Sequence, residues 1–470
     1  MKARRWMVAL GLAGLLTVLL LALALGLPAQ AVQAQGGPLV RVARGQLGQQ
    51  AITVALAAEG MTNLGGFEFD LGVDPAVARL EGAQLGEFLG FSGRATGALG
   101  PLIGGQGESL GFGAYSYDPS GQNAPGPAGD GILARARLQV AGDGVSDLAL
   151  SNLIVADVEA AIQSATTEAA ALQVRTLHGG WNLLAPCVDT TGLAVPEVLA
   201  SLAEGFDMVL GERGAHVVGL PPESQSLNEV APPWSYWLRT TVGGPITLTQ
   251  VALAFSPSTP IPLTAGWRWV GYCVREPLPI AAALGSIEGR YDMVLGERGA
   301  YVVGLPDQFQ SLREMEQSAG YLIRMTADGM LTYPAGSGGA GARELGRSEA
   351  EALACAAQPS PYVTLAYGQA LVDGAPAPVS TVVEAVTPRG EVAGCATVIG
   401  DGAFPLMLLY GADEDGRTPG FRAGELIAWR VGGREATGPA VTWADDKAVH
   451  PVQLEVGGRG PTLYLPLIRR

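Results

Sequence analysis

The sequence predicts a mainly β, multidomain protein, and three observations predict it. Apolar and polar residues alternate in many short stretches, as in GFEFDLGV (66–73) and ILARARLQV (132–140). Turn residues are abundant, with 67 glycines and 32 prolines, although 48% of the 470 residues are hydrophobic. FDMVLGERGAHVVGLP (206–221) returns almost unchanged as YDMVLGERGAYVVGLP (291–306), which indicates a duplicated module. A chain of this length accommodates about three domains.

The first 34 residues have the features of a signal peptide. The basic start KARR precedes an apolar run from Met7 to Leu27, and the small-residue pattern Ala29-Gln30-Ala31 offers a cleavage site. The apolar run is long enough to span a bilayer, so a retained anchor is the alternative to cleavage. We expect an exported chain with no membrane span after signal removal.

The charge balance argues against one class of partner. The formal net charge is −15, and removing the leader's Lys2, Arg4 and Arg5 makes it −18 (−15 − 3). A surface this acidic repels phosphate backbones, so we expect no nucleic-acid partner. The sequence leaves the oligomeric state open.

Four cysteines in an exported chain favour disulfide bonds. Cys187 and Cys273 hold the same position in the two repeat copies, so they could meet across a pseudo-twofold axis, and two buried free thiols are the alternative. If they pair, Cys355 and Cys395 would pair in the last third of the chain. Neither a CxxC motif nor a Cys/His cluster is present, so we predict no metal site and no cofactor.

Residues 35–175 resemble a cohesin module, the jelly-roll receptor of cellulosomes and related cell-surface assemblies. The resemblance rests on the GFEFDL strand running into Asp74-Pro75 and on Asp130-Gly131 opening a later strand, whereas Val73 replaces an aromatic residue that often precedes the Asp-Pro pair. It implies a β-sandwich that binds a dockerin-like protein or a polysaccharide-associated assembly. Carbohydrate binding and polysaccharide catabolism are the processes it implies.

Two further resemblances cover the rest of the chain. The Gly-Trp-Asn-Leu opening at 180–183 resembles repeats found beside adhesion modules in secreted bacterial proteins, and VDGAPAPVSTVVEAVTPRGEVAG (372–394) resembles the transthyretin-like or carboxypeptidase-regulatory sandwich, which is Ig-like. We therefore divide the chain into a signal peptide (1–34), a cohesin-like jelly-roll β-sandwich (35–175), two small β-rich repeat modules each with a short helix (176–262 and 263–335), a linker (336–358), an Ig-like or transthyretin-like β-sandwich (359–457) and a tail (458–470).

A candidate partner-binding face lies in the cohesin-like segment. Glu68 and Asp70 point to the same side of their strand, because alternate residues share a face. The resemblance implies that a partner docks on this side, with Arg135 and Arg137 beside the strand and Tyr115 and Tyr117 beyond. Acidic, basic and aromatic side chains together suit protein recognition. The alternative is ordinary cross-strand charge pairing on a solvated sheet.

One short motif is similar to a hydrolase motif and another to a calcium-binding loop, but the surrounding sequence does not support either function. Gly107 to Gly111 fits the GxSxG pattern of hydrolases, but no helix follows Ser109, and the chain's three histidines all lie outside this segment. Asp413 to Gly416 begins like a calcium loop and lacks the later ligands, so a solvated turn is favoured.

The residues that the two repeat copies share also have structural explanations. Trp181 and Trp267 open equivalent strands, which favours core positions, and Glu212 and Glu297 sit beside arginines in tight turns, which favours surface ion pairs. We therefore predict no catalytic residues. The favoured function is a secreted, non-catalytic binding or scaffold protein. A structural cell-envelope or adhesion protein with sandwich spacers is the alternative, and a hydrolase ranks third.

Overall fold

The computed structural model describes residues 37–335 and 356–457. The predicted signal peptide, most of the predicted linker and the predicted tail lie outside these ranges. Inside them the chain forms β-strands joined by turns, with helical segments of only three or four residues. The predicted fold class, mainly β and multidomain, is confirmed. Among the described residues, no helix is long and apolar enough to cross a membrane.

The first module is a sandwich of two sheets. Its strands are Leu39–Leu47 (β1), Ala51–Met61 (β2), Leu64–Gly72 (β3), Ala78–Leu85 (β4), Ala95–Ile103 (β5), Ser109–Tyr117 (β6), Gly129–Val140 (β7), Gly144–Asp157 (β8), Ile162–Gln163 (β9) and Thr166–Glu168 (β10). One sheet has the order β10-β1-β2-β7-β4. The other contains the order β8-β3-β6-β5, with β9 beside β8. A single 3-10 turn, Phe88–Gly90, follows β4.

Alternation in β3 fixes which side of this sheet faces the core. Phe67, Phe69 and Leu71 point inward and are buried, and Phe67 and Phe69 stack with ring centroids 6.2 Å apart. Each buried phenyl ring contributes about 2–3 kcal/mol by leaving water. Because side chains alternate along a strand, Glu68 and Asp70 must point to the outer surface.

The strands that follow in the chain, beginning with the last strand of the first module, are Ala170–Leu177 (β11), Gly180–Leu184 (β12), Val188–Asp189 (β13), Phe206–Gly211 (β14), Gly214–Val217 (β15), Tyr236–Thr240 (β16), Ile246–Ala254 (β17), Ile261–Leu263 (β18), Gly266–Tyr272 (β19), Leu278–Pro279 (β20), Tyr291–Leu295 (β21), Ala300–Val302 (β22), Glu314–Met315 (β23), Ala319–Met325 (β24) and Gly329–Leu331 (β25). Eight of them, from both repeats, form one shared sheet with the order β15-β14-β16-β12-β24-β21-β22, in which β19 also pairs with β24. β18 pairs with β25 and β20 pairs with β23 in two small separate sheets.

Each repeat covers one side of this sheet with a short helical segment. The segments are the helix Val195–Val198 with the 3-10 turn Ala200–Leu202, and the helix Ile280–Ala283 with the 3-10 turn Gly285–Ile287. Two more 3-10 turns, Pro222–Ser224 and Asp307–Phe309, also occupy equivalent places. The duplicated sequence therefore folds twice into the same local structure.

The sheet of the first module continues into the first repeat. β11 pairs with β8 on one side and with β17 on the other, and β13 pairs with β17. The proposed boundary at residue 175 consequently falls inside β11. Hydrogen-bonded strands, rather than a flexible linker, connect the two modules at this point.

A disulfide joins the two repeats. Cys187 and Cys273 are bonded, with their Cα atoms 5.3 Å apart, so the alternative of two buried free thiols does not hold. Cys395 is also disulfide-bonded. Cys355, the partner that the sequence suggests for it, lies outside the described residues.

Glu212 and Glu297 hold the repeats together reciprocally. The backbone N–H of Trp269 donates to Glu212 Oε2 at 3.0 Å, and the backbone N–H of Leu183 donates to Glu297 Oε2 at 2.8 Å. Each carboxylate thus binds the first strand of the other repeat. Both predicted ion pairs form, with Arg213 Nε 3.7 Å from Glu212 and Arg298 Nε 3.4 Å from Glu297. The glutamates themselves are not surface residues, because both side chains are only 20% exposed and accept backbone hydrogen bonds across the interface.

The last module is a second sandwich. Its strands are Val363–Val372 (β26), Ala375–Pro376 (β27), Val382–Val386 (β28), Val392–Thr397 (β29), Ala403–Tyr410 (β30), Ala428–Val431 (β31), Arg434–Ala436 (β32) and Val449–Val456 (β33). One sheet has the order β27-β26-β30 with β33 beside β26, and the other is β29-β28-β31-β32. Phe404, Phe421, Trp429 and Trp443 fill the space between them.

This sandwich packs against the shared sheet of the repeats. Leu365 of β26 and Leu408 of β30 join a buried cluster with Trp181 and Trp237. The Tyr410 hydroxyl donates to the backbone oxygen of Glu297 at 2.7 Å. Trp181 is therefore a core residue at the junction of two modules.

The acidic segment 413–416 belongs to the same junction. Asp413 Oδ2 accepts a hydrogen bond from Arg239 Nη1 at 2.8 Å, and Asp415 Oδ2 accepts one from Arg239 Nη2 at 2.9 Å. Burial opposes ionisation of Asp413, but hydrogen bonds from Thr418 and Arg239 hold its pKa below the ordinary value. The prediction of a solvated turn holds for Glu414, Asp415 and Gly416, which are exposed, and was wrong for Asp413, which is buried because the buried Arg239 of the first repeat needs a carboxylate partner.

Candidate binding face on the first module

The outer side of β8, β3, β6 and β5 forms one continuous surface, which we call the β3 face. Strand pairing aligns one residue from each strand into rows across it. The first row is Ile154, Glu68, Gly113 and Leu99, and the second is Ser151, Asp70, Gly111 and Leu102. A partner would therefore meet carboxylates next to apolar side chains.

Apolar side chains dominate the exposed part of the β3 face. Leu99 is 61% exposed and Leu102 is 76% exposed, while Ile154, Tyr115 and Tyr117 are each about half exposed. Sheet residues on a solvated surface are usually polar, so an exposed apolar group of this kind makes the surface a candidate interaction site. Sequence reasoning missed Leu99, Leu102 and Ile154. The available signal was the stretch ATGALGPLI, whose glycines and proline obscured its strand character.

A glycine makes room for an aromatic ring on the β3 face. Tyr115 lies across Gly97, where an added Cβ would come within 2.5 Å of the tyrosine ring. The rings of Tyr115 and Tyr117 are 6.4 Å apart. Gly97 therefore allows Tyr115 to lie along the sheet, with one side of its ring available to a partner.

The two carboxylates of the β3 face differ in their surroundings. Asn152 Nδ2 donates to Asp70 Oδ2 at 2.6 Å, which fixes that carboxylate at the second row. Glu68 is exposed, and no described residue forms a hydrogen bond or ion pair with it. Glu68 is consequently the carboxylate of this face that is free to bind a cation on a partner.

Arg135 and Arg137 do not belong to this face. They lie on β7, which pairs with β2 and β4 in the opposite sheet, so their side chains emerge on the other side of the sandwich. Arg135 forms an ion pair with Glu87 at 2.7 Å, and Arg137 forms one with Glu81 at 3.0 Å. The hydrogen bond from Arg135 lowers the pKa of Glu87 to about 2. For these two arginines the alternative of charge pairing on a solvated sheet is the correct one.

The structure thus brings four of the six predicted face residues together: Glu68, Asp70, Tyr115 and Tyr117. Their placement follows from local alternation and from the pairing of β3 with β6. The two arginines were misplaced because sequence alternation does not reveal which of two sheets receives a strand.

A groove of about 430 Å³ lies at one end of the β3 face. Ser109 lines it with Asp70, Leu102 and Ser151, and no histidine is among its lining residues. Ser109 opens β6, so the residues after it continue as a strand and not as the helix that a nucleophile elbow requires. Within the described residues, no group of three His, Cys, Asp or Glu side chains could hold a metal ion.

Comparison with known proteins gives a likeness limited to part of the chain. No family model matches, and no curated protein does. A non-cellulosomal cohesin from Archaeoglobus fulgidus is 16% identical, with 28% of this chain and 88% of the cohesin covered and a TM-score of 0.23. A type II cohesin domain from the cellulosome of Acetivibrio cellulolyticus is 13% identical over 28% of this chain and 92% of its own, with a TM-score of 0.23.

A third similar structure is the Coh-OlpC-Doc435 complex, described as a novel type I cohesin-dockerin complex from Clostridium thermocellum. It is 12% identical, with 29% of this chain and 94% of the matched chain covered and a TM-score of 0.24. At these TM-scores we draw no functional conclusion from the likeness.

Proposed function

We propose that this protein is a secreted, non-catalytic binding or scaffold protein whose first module binds a protein partner through the β3 face. The observation that carries the proposal is the set of exposed apolar side chains on β5, β6 and β8 around the unpaired carboxylate of Glu68. Apolar and aromatic residues at the centre of a flat patch are the usual anchors of protein interfaces.

The same surface indicates the chemistry of the partner. Leu99, Leu102 and Tyr115 need an apolar counterpart, and Glu68 favours a lysine or arginine near its centre. The cohesin-like sequence features make a dockerin-like module the first partner to test, within an assembly concerned with carbohydrate binding and polysaccharide breakdown. The disulfide between Cys187 and Cys273 supports an oxidising, extracellular location.

The proposal is tested with the full chain and a panel of purified dockerin modules, using biolayer interferometry. We expect at least one saturable interaction, and we expect Leu99→Glu with Leu102→Glu to weaken it at least tenfold, because two charges would be buried in an apolar contact. Leu426→Glu changes an equally exposed leucine in the last module and should leave binding unchanged. Equal binding by the double variant would refute the β3 face as the docking site.

A structural role as a spacer is the second candidate, and the continuity between modules favours it. β11 and β17 pair across the first boundary, and Arg239 binds Asp413 across the last. Contacts of this kind make a chain resist extension. Under this alternative, no dockerin or other soluble protein binds the β3 face, and the full chain unfolds in a force measurement as one unit and not module by module.

A further inference from the structure

The duplication gives the repeat sheet two equivalent surfaces. One consists of Trp181, Leu183, Met293 and Leu295 with the pair Arg239 and Asp207, and we call it the covered face. The residues at the same repeat positions are Trp267, Trp269, Met208 and Leu210 with the pair Arg324 and Asp292, and we call it the open face. The hydrogen bond between Glu212, at the end of β14, and Trp269 of β19 brings the strands of the open face together.

The last module joins the buried cluster that contains the covered face. Trp181, Leu183, Met293 and Leu295 are each no more than 2% exposed. Their equivalents Trp267, Trp269, Met208 and Leu210 pack against the edge of the same cluster but all remain partly exposed. Side chains at equivalent repeat positions are therefore fully buried beside the last module in one place and only partly buried in the other.

The two arginines show the difference most clearly. Arg239 uses Nε and Nη2 on Asp207, and its Nη1 donates to Asp413 and Asp415 of the last module. Arg324 uses Nε and Nη2 on Asp292 in the same way. Its Nη1 has no hydrogen-bond partner among the described residues.

Arg324 is nevertheless held in the same pose as its equivalent. Its Cζ lies 5.7 Å from the centre of the Trp267 ring, compared with 5.3 Å between Arg239 and Trp181. Its side chain is 37% exposed, whereas that of Arg239 is 6% exposed. The guanidinium is thus oriented by an aromatic ring and a carboxylate, with one nitrogen directed at no group of the described chain.

We propose that the open face is a second docking site, which takes an acidic loop of a partner protein with two carboxylates two residues apart. The occupied site defines this chemistry, because there Asp413 and Asp415 bind the arginine while Arg417 binds Asp207. The partner loop would place one carboxylate on Arg324 Nη1 and its apolar neighbours on Trp267 and Trp269. This site is separate from the β3 face, so either can fail alone.

The probe is the peptide ADEDGRTPG, which is this chain's own sequence from 412 to 420, labelled with fluorescein and titrated with the full chain. Fluorescence anisotropy should show saturable binding that weakens at high salt, since the contact is an ion pair near the surface. Arg324→Gln should weaken binding at least tenfold, and Arg324→Lys should weaken it less because charge is kept but the fork of donors is lost.

The control variant is Arg313→Gln, which removes an exposed arginine of the same repeat outside the open face and should bind the peptide as the unchanged chain does. A peptide with asparagine at both aspartate positions should not bind. Thermal unfolding of Arg324→Gln checks that the variant is folded. Absence of saturable binding by the unchanged chain, or equal binding by Arg324→Gln, would overturn the proposal.

Discussion

The two repeats have nearly the same sequence but different surroundings, and the comparison separates local from non-local causes. In both, an aspartate at the start of a strand binds an arginine that lies over a tryptophan. Only in the first repeat does a loop from 174 residues further along the chain add its carboxylates to the arginine. Nearly identical local structure therefore supports a buried junction around Arg239 and a partly exposed surface around Arg324.

The largest difference should appear when each arginine is replaced by glutamine. Arg239→Gln leaves Asp413 buried without its cation, and losing one partner of a buried ion pair costs about 3–5 kcal/mol. Arg324→Gln removes an ion pair of roughly one-third exposed groups, so the expected loss is below about 1 kcal/mol. Urea denaturation of both variants gives the free energy of unfolding. Equal losses would mean that the last module adds nothing to the first site.

The disulfide is the covalent element that keeps the two copies in register. Replacing Cys187 and Cys273 by alanine releases a crosslink with a sequence separation of 86, and such crosslinks typically contribute about 2–4 kcal/mol. We expect the melting temperature to fall while the reciprocal contacts of Glu212 and Glu297 persist in the folded state. Differential scanning calorimetry measures the loss. An unchanged melting temperature would show that the sheet alone aligns the repeats.

The comparison also shows how much could be predicted from the sequence. Alternation around Phe67 and Phe69 predicted the outward direction of Glu68 and Asp70, and the duplicated stretch predicted two equivalent cysteines. Both depend on residues that are close in sequence or repeated in it. Such features are readable because the strand period and the repeat offset determine them.

Contacts between distant segments could not be predicted in this way. Arg135 was assigned to the wrong sheet because its neighbours, β2 and β4, are set by the path of the chain between the two sheets. Asp413 appeared solvated because nothing near it in the sequence indicates Arg239. The open face could not be distinguished from the covered face, since their residues are almost the same.

The smallest expected effect is a pH dependence of stability that distinguishes the contact of Glu297 from that of Glu212. Glu212 accepts a hydrogen bond from Arg268 Nη1 at 2.9 Å, whereas Glu297 is 2.8 Å from His178 Nε2. Burial opposes charging of His178, but the hydrogen bond and negative charge of Glu297 outweigh it and raise its pKa above 6.5. Arginine stays charged throughout the neutral range, so only one of the two contacts titrates there.

A histidine whose pKa is higher in the folded state stabilises the fold when protonated. The contribution of His178 should therefore be complete below about pH 6.5 and disappear as the pH rises through its raised value in the folded protein. The free energy of unfolding, measured by urea denaturation from pH 6 to pH 9, should fall along this range. His178→Gln should flatten the dependence, while His216→Gln should retain it, because the His216 side chain forms no hydrogen bond or ion pair with any residue that the structure describes. A slope unaffected by His178→Gln would place the titrating group elsewhere and leave the two contacts equivalent.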